Sequence, residues 1–190
     1  MNRSRALKKG EAGEALVSKL LSSSPDFHYL INNLILLGDN GVSHQIDHIY
    51  ISKEGVFVLE TKNYFGEILG KEEDSFWLRK YVRQGKKVVS TFTNPIKQNK
   101  SHIKVVRRII GKDINLYGFI VFVQANEQDI NLFNVVNPNN LLERIKLLTC
   151  ENLLSTDTIE KIYQTQLNSE ANVSDLTHVE SITLLTLKTA

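Results

Sequence analysis

Asp47, Glu60 and Lys62 are the side chains whose types and spacing can do chemistry. They stand in two short apolar runs, residues 45–52 and 56–62, joined by Lys53-Glu54-Gly55. Runs rich in Ile, Val, Phe and Tyr, broken by a turn-like glycine, read as a β-hairpin. With Lys53-Glu54 as a two-residue loop, Ser52 faces Gly55, and Asp47 falls opposite Glu60. Glu60 and Lys62 then share Asp47's face of the sheet. A three-residue loop with a bulge shifts that register by one.

Two facing carboxylates repel unless a cation lies between them. Magnesium, or manganese in its place, takes hard oxygen ligands and commonly only one or two protein carboxylates. Asp47 and Glu60 meet that demand, and the carbonyl of Thr61 offers a third oxygen. A metal so held polarises a phosphoryl oxygen and acidifies a bound water. Lys62 would orient that water or neutralise charge at the phosphate. The plain alternative is an exposed Glu60–Lys62 ion pair, which stabilises little. The apolar surroundings favour the first reading, because buried charges are costly unless paired or metal-bound.

Other elements must position these groups. Residues 10–22 read as an amphipathic helix with Ala15, Leu16, Leu20 and Leu21 towards one side. Residues 28–37 form a β-rich stretch closed by Gly38-Asp-Asn-Gly41, which is turn chemistry. Residues 66–70 and 75–81 read as two separate short strands, with a further one at 88–91. Asn94-Pro95 opens a helix that Gly111 closes, with Ile96, Ile103, Val106 and Ile110 as its apolar stripe. Residues 117–123 are continuously apolar, as in a strand buried on both faces. Residues 139–148 and 156–167 read as helices, and the last twenty residues show no period. The order predicts a mixed α/β sandwich, built on an antiparallel hairpin with a later strand added after a helix crossover.

A chain of 190 residues with 42% apolar and 23% charged residues is one globular domain. It has no apolar run near the roughly 18 residues of a membrane span, and its basic N-terminus lacks a signal core. The single cysteine, Cys150, excludes an internal disulfide, and five scattered histidines offer no zinc site. A cytoplasmic location is expected. The net charge of +2 hides an asymmetry: residues 79–112 hold eleven Lys or Arg and no Asp or Glu. The rest of the chain is acidic. So one-sided a block predicts a polyanion-binding surface, with Lys86, Lys87, Lys97, Lys100, Lys104 and Arg108 as backbone contacts.

An Asp followed on the next strand by Glu-x-Lys, behind an acid-bearing helix, resembles the PD-(D/E)XK nuclease superfamily. The surrounding words are closer still to its nuclease-related (NERD) branch: Gly10-Glu-Ala-Gly-Glu14, Gln45-Ile-Asp-His-Ile49, Gly55-Val-Phe-Val-Leu-Glu-Thr-Lys-Asn-Tyr64, Gly66, Trp77 and Asn94-Pro-Ile-Lys-Gln98. Ile46 stands where the superfamily's nominal proline would precede the aspartate, as is usual in this branch. The resemblance covers roughly residues 10–125. It implies a restriction-endonuclease-like αβββαβ core with a mixed central sheet flanked by helices, divalent-metal dependence and phosphodiester hydrolysis. It further implies Glu14 as the first-helix acid, Asp47 and Glu60 as metal ligands, Lys62 as catalytic lysine and Gln98 as a polar group facing the site.

Residues 1–125 are thus expected to form the nuclease-like core, and 126–190 a helical extension packed on the same domain. The expected partner is nucleic acid, DNA before RNA, with no membrane; self-association is compatible with this. The alternative function is a nuclease-like fold that binds nucleic acid without cutting it. His102 reads as a helix-surface histidine, His48 as pointing away from Asp47's face, and Trp77 as core. Tyr64 and Phe65 could stack on a base, with packing under the hairpin the favoured reading.

Overall fold

The computed structural model describes residues 3–38, 41–126, 130, 132–148 and 153–170. In chain order the elements are α1 (Arg3–Ser22), β1 (His28–Leu37), β2 (Ser43–Ser52), β3 (Gly55–Leu69), β4 (Phe76–Arg83) and β5 (Lys86–Thr93). They continue with α2 (Pro95–Ile110), β6 (Leu116–Asn126), β7 (Val135–Val136), α3 (Pro138–Leu147) and α4 (Thr156–Glu170). Asp39 and Asn40 of the expected turn, Cys150 and the last twenty residues lie outside the described residues.

The hairpin forms in the two-residue-loop register. Ser52 faces Gly55 and His48 faces Leu59. Gly55 has φ 142°, and a Cβ there would lie 2.7 Å from the Asn115 carbonyl oxygen, so only glycine closes this corner. β1, β2 and the first part of β3 make an antiparallel meander, and β6 adds in parallel along β3 after the α2 crossover. The sheet is therefore mixed.

Alternation along these strands feeds two apolar layers. Ile49, Ile51, Val56 and Val58 pack with Val105 and Val106 of α2 and Ile159, Ile162 and Tyr163 of α4. Tyr50, Phe57, Leu59, Phe119 and Val121 pack with Val17 and Leu21 of α1 and Leu141 and Ile145 of α3. A sheet covered on both faces needs near-continuous apolar strands, which is why β3 and β6 read that way. Each fully buried Leu, Ile, Val or Phe contributes roughly 1.5–3 kcal/mol.

Three expectations are corrected. α1 starts at Arg3, not Gly10, so Glu14 sits mid-helix. Its buried face is Gly13, Val17 and Leu21, while Ala15 and Leu16 are exposed. Residues 66–69 are no separate strand: β3 runs unbroken through them, because Gly66 at φ 100° takes the bend inside the strand. β7, two residues long, carries too little pattern to foresee.

Candidate active site

β3 holds the site because it changes partners midway. β6 pairs one edge of β3 from Val56 to Lys62 and again from Phe65 to Glu67, with a bulge between. The opposite edge belongs to β2 through residues 55–59 and to β4 through 67–69. Residues 60–66 on that edge have no strand neighbour among the described residues. Glu60 and Lys62 open this gap, and bulges commonly mark the place where a sheet re-aims side chains at a site.

Unpaired backbone groups in such a gap need other partners. The N–H of Thr61 donates to Asp47 Oδ2 at 2.7 Å, so Asp47, one residue past the β2 ladder, takes the place of a strand partner. Arg79 Nε on β4 donates to the Phe65 carbonyl at 3.1 Å. Each flanking strand thus sends one side chain into the gap.

Lys62 Nζ lies 2.5 Å from Glu60 Oε1, with both side chains largely buried at 17% and 3% exposure. It also donates to Gln98 Oε1 at 3.2 Å. Gln98 reaches the gap because Asn94 and Pro95 start α2 beside it. Asn94 Oδ1 accepts from the Ile96 N–H, while its Nδ2 donates to the carbonyls of Lys71, Glu72 and Asp74. Further along, Asn99 Nδ2 donates to the carbonyls of Val58 and Phe119 at 2.9 and 3.3 Å, pinning α2 across β3 and β6.

Burial raises the Asp47 pKa from the ordinary 3.8 to about 8, with the charge of Glu60 next in effect. Burial raises Glu60 as well, against the pull of Lys62 and Gln98. Glu14 rises through burial and then through the charge of Glu60, which places it on the rim of the same acidic cluster. Burial pulls the Lys62 pKa down, but Glu60 and then Asp47 carry it above the ordinary value. Lys62 is therefore charged at neutral pH.

The second oxygen of Glu60 is informative. Oε2 is buried without a hydrogen-bond partner, facing His102 Nδ1 at 3.6 Å. His102 is buried, not the surface residue its sequence position suggests, and its ring packs edge-on against His44 with centroids 5.6 Å apart. Burial holds its pKa down near 4, with His44 and Lys62 adding to the effect. A neutral imidazole supplies no counter-charge, so the Lys62 ammonium on Oε1 is the cation that balances Glu60, and Oε2 is left without a partner of its own. Sequence reasoning undervalued His102; its spacing of four from Gln98 was the available signal.

An orphaned carboxylate oxygen beside a second, repelling carboxylate is what a hard divalent cation relieves. Among the described residues no three His, Cys, Asp or Glu side chains converge into a ready-made cage. Two carboxylate groups without thiolate or imidazole donors are the ligand chemistry of a hard cation such as magnesium or manganese. Thr61 enters this site through its N–H to Asp47, and its buried Oγ1 has no partner.

The remaining sequence expectations fall as follows. His48 points away, buried with Nδ1 2.7 Å from Asn32 Oδ1. Trp77 is fully buried, donating from Nε1 to the Lys71 carbonyl at 2.8 Å. Tyr64 packs on Phe92 and Phe122, but Phe65 is 40% exposed. Lys86, Lys87 and Lys104 are exposed. Lys97 donates to the Glu73 carbonyl at 2.7 Å, Lys100 pairs with Glu72 at 2.8 Å, and Arg108 bonds the Leu37 carbonyl. Half of the expected basic footprint is thus engaged by the chain itself. No helix among the described residues is long and apolar enough to cross a membrane.

Comparison with known proteins gives the family. A family model described as "Nuclease-related domain" matches residues 9–123. A Bacillus anthracis protein described as uncharacterized is 36% identical over 173 residues, covering 88% of this chain and 78% of its own length. No solved structure matches significantly. The matched span runs from the start of the buried face of α1 to near the end of β6 and takes in every residue of the gap, and on it the chain belongs to the nuclease-related domain (NERD) family, part of the PD-(D/E)XK-like nuclease superfamily.

Proposed function

We propose that this protein hydrolyses phosphodiester bonds of nucleic acid, DNA in preference to RNA, with a divalent metal held by Asp47 and Glu60. The reading rests on one observation above others: Lys62 is held 2.5 Å from Glu60 beside Asp47, at the unpaired edge of the central strand. A bound magnesium or manganese ion would polarise the scissile phosphoryl oxygen and lower the pKa of a coordinated water.

The chain's own groups divide the remaining work. Thr61 fixes Asp47 through its N–H, so the carboxylate needs no reorganisation. Lys62 is positively charged, so it attracts a phosphate oxygen and orients water; it does not accept the proton. Gln98 holds the ammonium in place from α2. Glu14, on the rim of the cluster, supports the charge balance and is the weakest member of the set. The carbonyl of Thr61 remains the nearest candidate for a third protein oxygen.

The test is incubation of purified protein with single-stranded, duplex and plasmid DNA and with RNA, with magnesium, with manganese and with a chelator. Metal-dependent cleavage that disappears in Glu60→Gln and in Asp47→Asn supports the reading. Salt-sensitive binding with no turnover under any metal would leave a binding module instead.

A further inference from the structure

We propose that Lys9 and Arg79, gathered on the exposed ring of Phe65, form a phosphate-binding subsite that leads a nucleic-acid strand into the gap. The proposal rests on the nucleic-acid reading above and places the substrate path over the β3 bulge, where Arg79, the first residue of the basic block, meets Lys9 of α1, away from α2.

The geometry is specific. Lys9 Nζ stands 4.6 Å from the Phe65 ring centroid, and the Arg79 guanidinium 4.5 Å from the same centroid. Arg79 also lies 4.0 Å from the Tyr81 ring and 5.1 Å from the Tyr64 ring. Phe65 and Tyr81 meet edge-on with centroids 5.1 Å apart. Aromatic faces attract cations without neutralising them, so both groups keep their full charge for a ligand. Among the described residues neither forms an ion pair with a carboxylate, whereas neighbouring Lys80 does, with Glu67 at 3.5 Å.

Two cations on one ring repel, and the charge of Arg79, after burial, depresses the pKa of Lys9. Folding brings them together with no carboxylate among the described residues paired to relieve them. A phosphodiester oxygen relieves both. The planar guanidinium, with Nε already tied to the Phe65 carbonyl, keeps its terminal nitrogens for bidentate contact.

The subsite also adjoins the reaction centre. Asn63, next to Lys62, donates from Nδ2 to the Lys9 carbonyl at 2.6 Å, fixing this turn of α1 against β3. Phe65 lies just beyond the bulge that follows Lys62. Glu60 and Lys62 face α2, whereas Asn63 and Phe65 meet α1, so a strand whose reacting phosphate sits at Lys62 would round the unpaired edge of β3 to lay further phosphates here. Along α2, by contrast, Lys100 is already paired with the Glu72 carboxylate, and Lys97 is tied to the Glu73 backbone carbonyl.

The experiment measures fluorescence anisotropy of a labelled short oligonucleotide, single-stranded and duplex, in a chelator so that nothing is cut. The Lys9→Ala/Arg79→Gln double variant should lose about tenfold or more in affinity and about one unit of the salt slope. The Lys97→Ala/Lys100→Ala variant should stay within about twofold of wild type. Arg79→Lys, which keeps the charge, should retain most of the binding, and circular dichroism melts check that each variant folds. Unchanged binding by the double variant, or an equal loss in the α2 pair, overturns the proposal. Cleavage assayed in parallel separates the two readings. Wild type that binds through Lys9 and Arg79 but never cuts leaves this subsite standing and removes hydrolysis. Cutting with binding indifferent to the two residues does the reverse, and no salt-sensitive binding at all removes both.

Discussion

Asn63 occupies the space a side chain at Gly13 would need: a Cβ on Gly13 would stand 2.7 Å from the Cβ of Asn63. Glycine is otherwise a poor choice mid-helix, where alanine is favoured by about 1 kcal/mol. The close approach of α1 to β3 outweighs that preference, and it carries Glu14 and Lys9 to the gap.

Gly13→Ala is therefore expected to destabilise despite the better helix former. Overpacking costs roughly 1–3 kcal/mol, more than the propensity gain. A urea midpoint measures the loss. Asn63→Gly in the same chain should recover part of it by removing the opposing Cβ. Recovery by Asn63→Ala to the same extent would show that the clash lies with the amide end of Asn63 and not with its Cβ.

The acids make the metal-free protein sensitive to alkali. The folded chain keeps the Asp47 proton up to about 8, while the unfolded chain releases it near 3.8. Between those values the folded state binds more protons, so stability falls as pH rises from about 4 to about 8. Asp47→Asn should make that slope shallower and raise the metal-free melting temperature at pH 8. Each kcal/mol relieved is worth roughly 2–4 °C in a chain of this size. Magnesium should stabilise wild type more at pH 8 than at pH 5, and should do little for the variant. An unchanged slope in Asp47→Asn would locate the sensitivity elsewhere.

Lys62→Met tests the lysine separately from the fold. Loss of cleavage by about 10²-fold or more is expected if the ammonium stabilises charge in the transition state. Stability should fall as well, more at pH 8 than at pH 5, because the buried Glu60 left without its partner can take up a proton only at the lower pH. Equal losses at both pH values would mean that Glu60 finds another cation, and retained cleavage would dismiss the catalytic role.

Asn99 carries the placement of α2. Asn99→Ala removes the bridge to Val58 and Phe119 and should cost about 1–3 kcal/mol. Gln98 and His102 flank it on the same helix, so cleavage should drop more than the fraction unfolded accounts for. Rates measured well below the melting temperature, alongside the melt itself, distinguish displacement from simple unfolding.

Much of this arrangement is legible in the residues. The hairpin register follows from a strict two-residue period ending at Gly55, and Asp47 and Glu60 fall on the expected side of it. The helix from Pro95 follows from its cap and its proline. What the sequence conceals is contact between distant elements. The buried face of α1 turns on Gly13, which has no apolar side chain to mark it. The basic run along α2 looks like one continuous surface until the turn after β3 places Glu72 and Glu73 against it. His102 looks like a surface residue because nothing local reveals that β3 brings a carboxylate beneath it.

The fifteen residues of β3 lie against β2, β4 and β6 in turn, with Glu60 and Lys62 near the middle. Backbone amides of β3 that bond a neighbouring strand exchange with solvent only when the sheet opens, whereas those facing the gap at residues 60–66 lack that ladder. Heating should consequently leave the three-residue cluster assembled until the molecule melts as a unit, with activity and tertiary signal vanishing at one temperature.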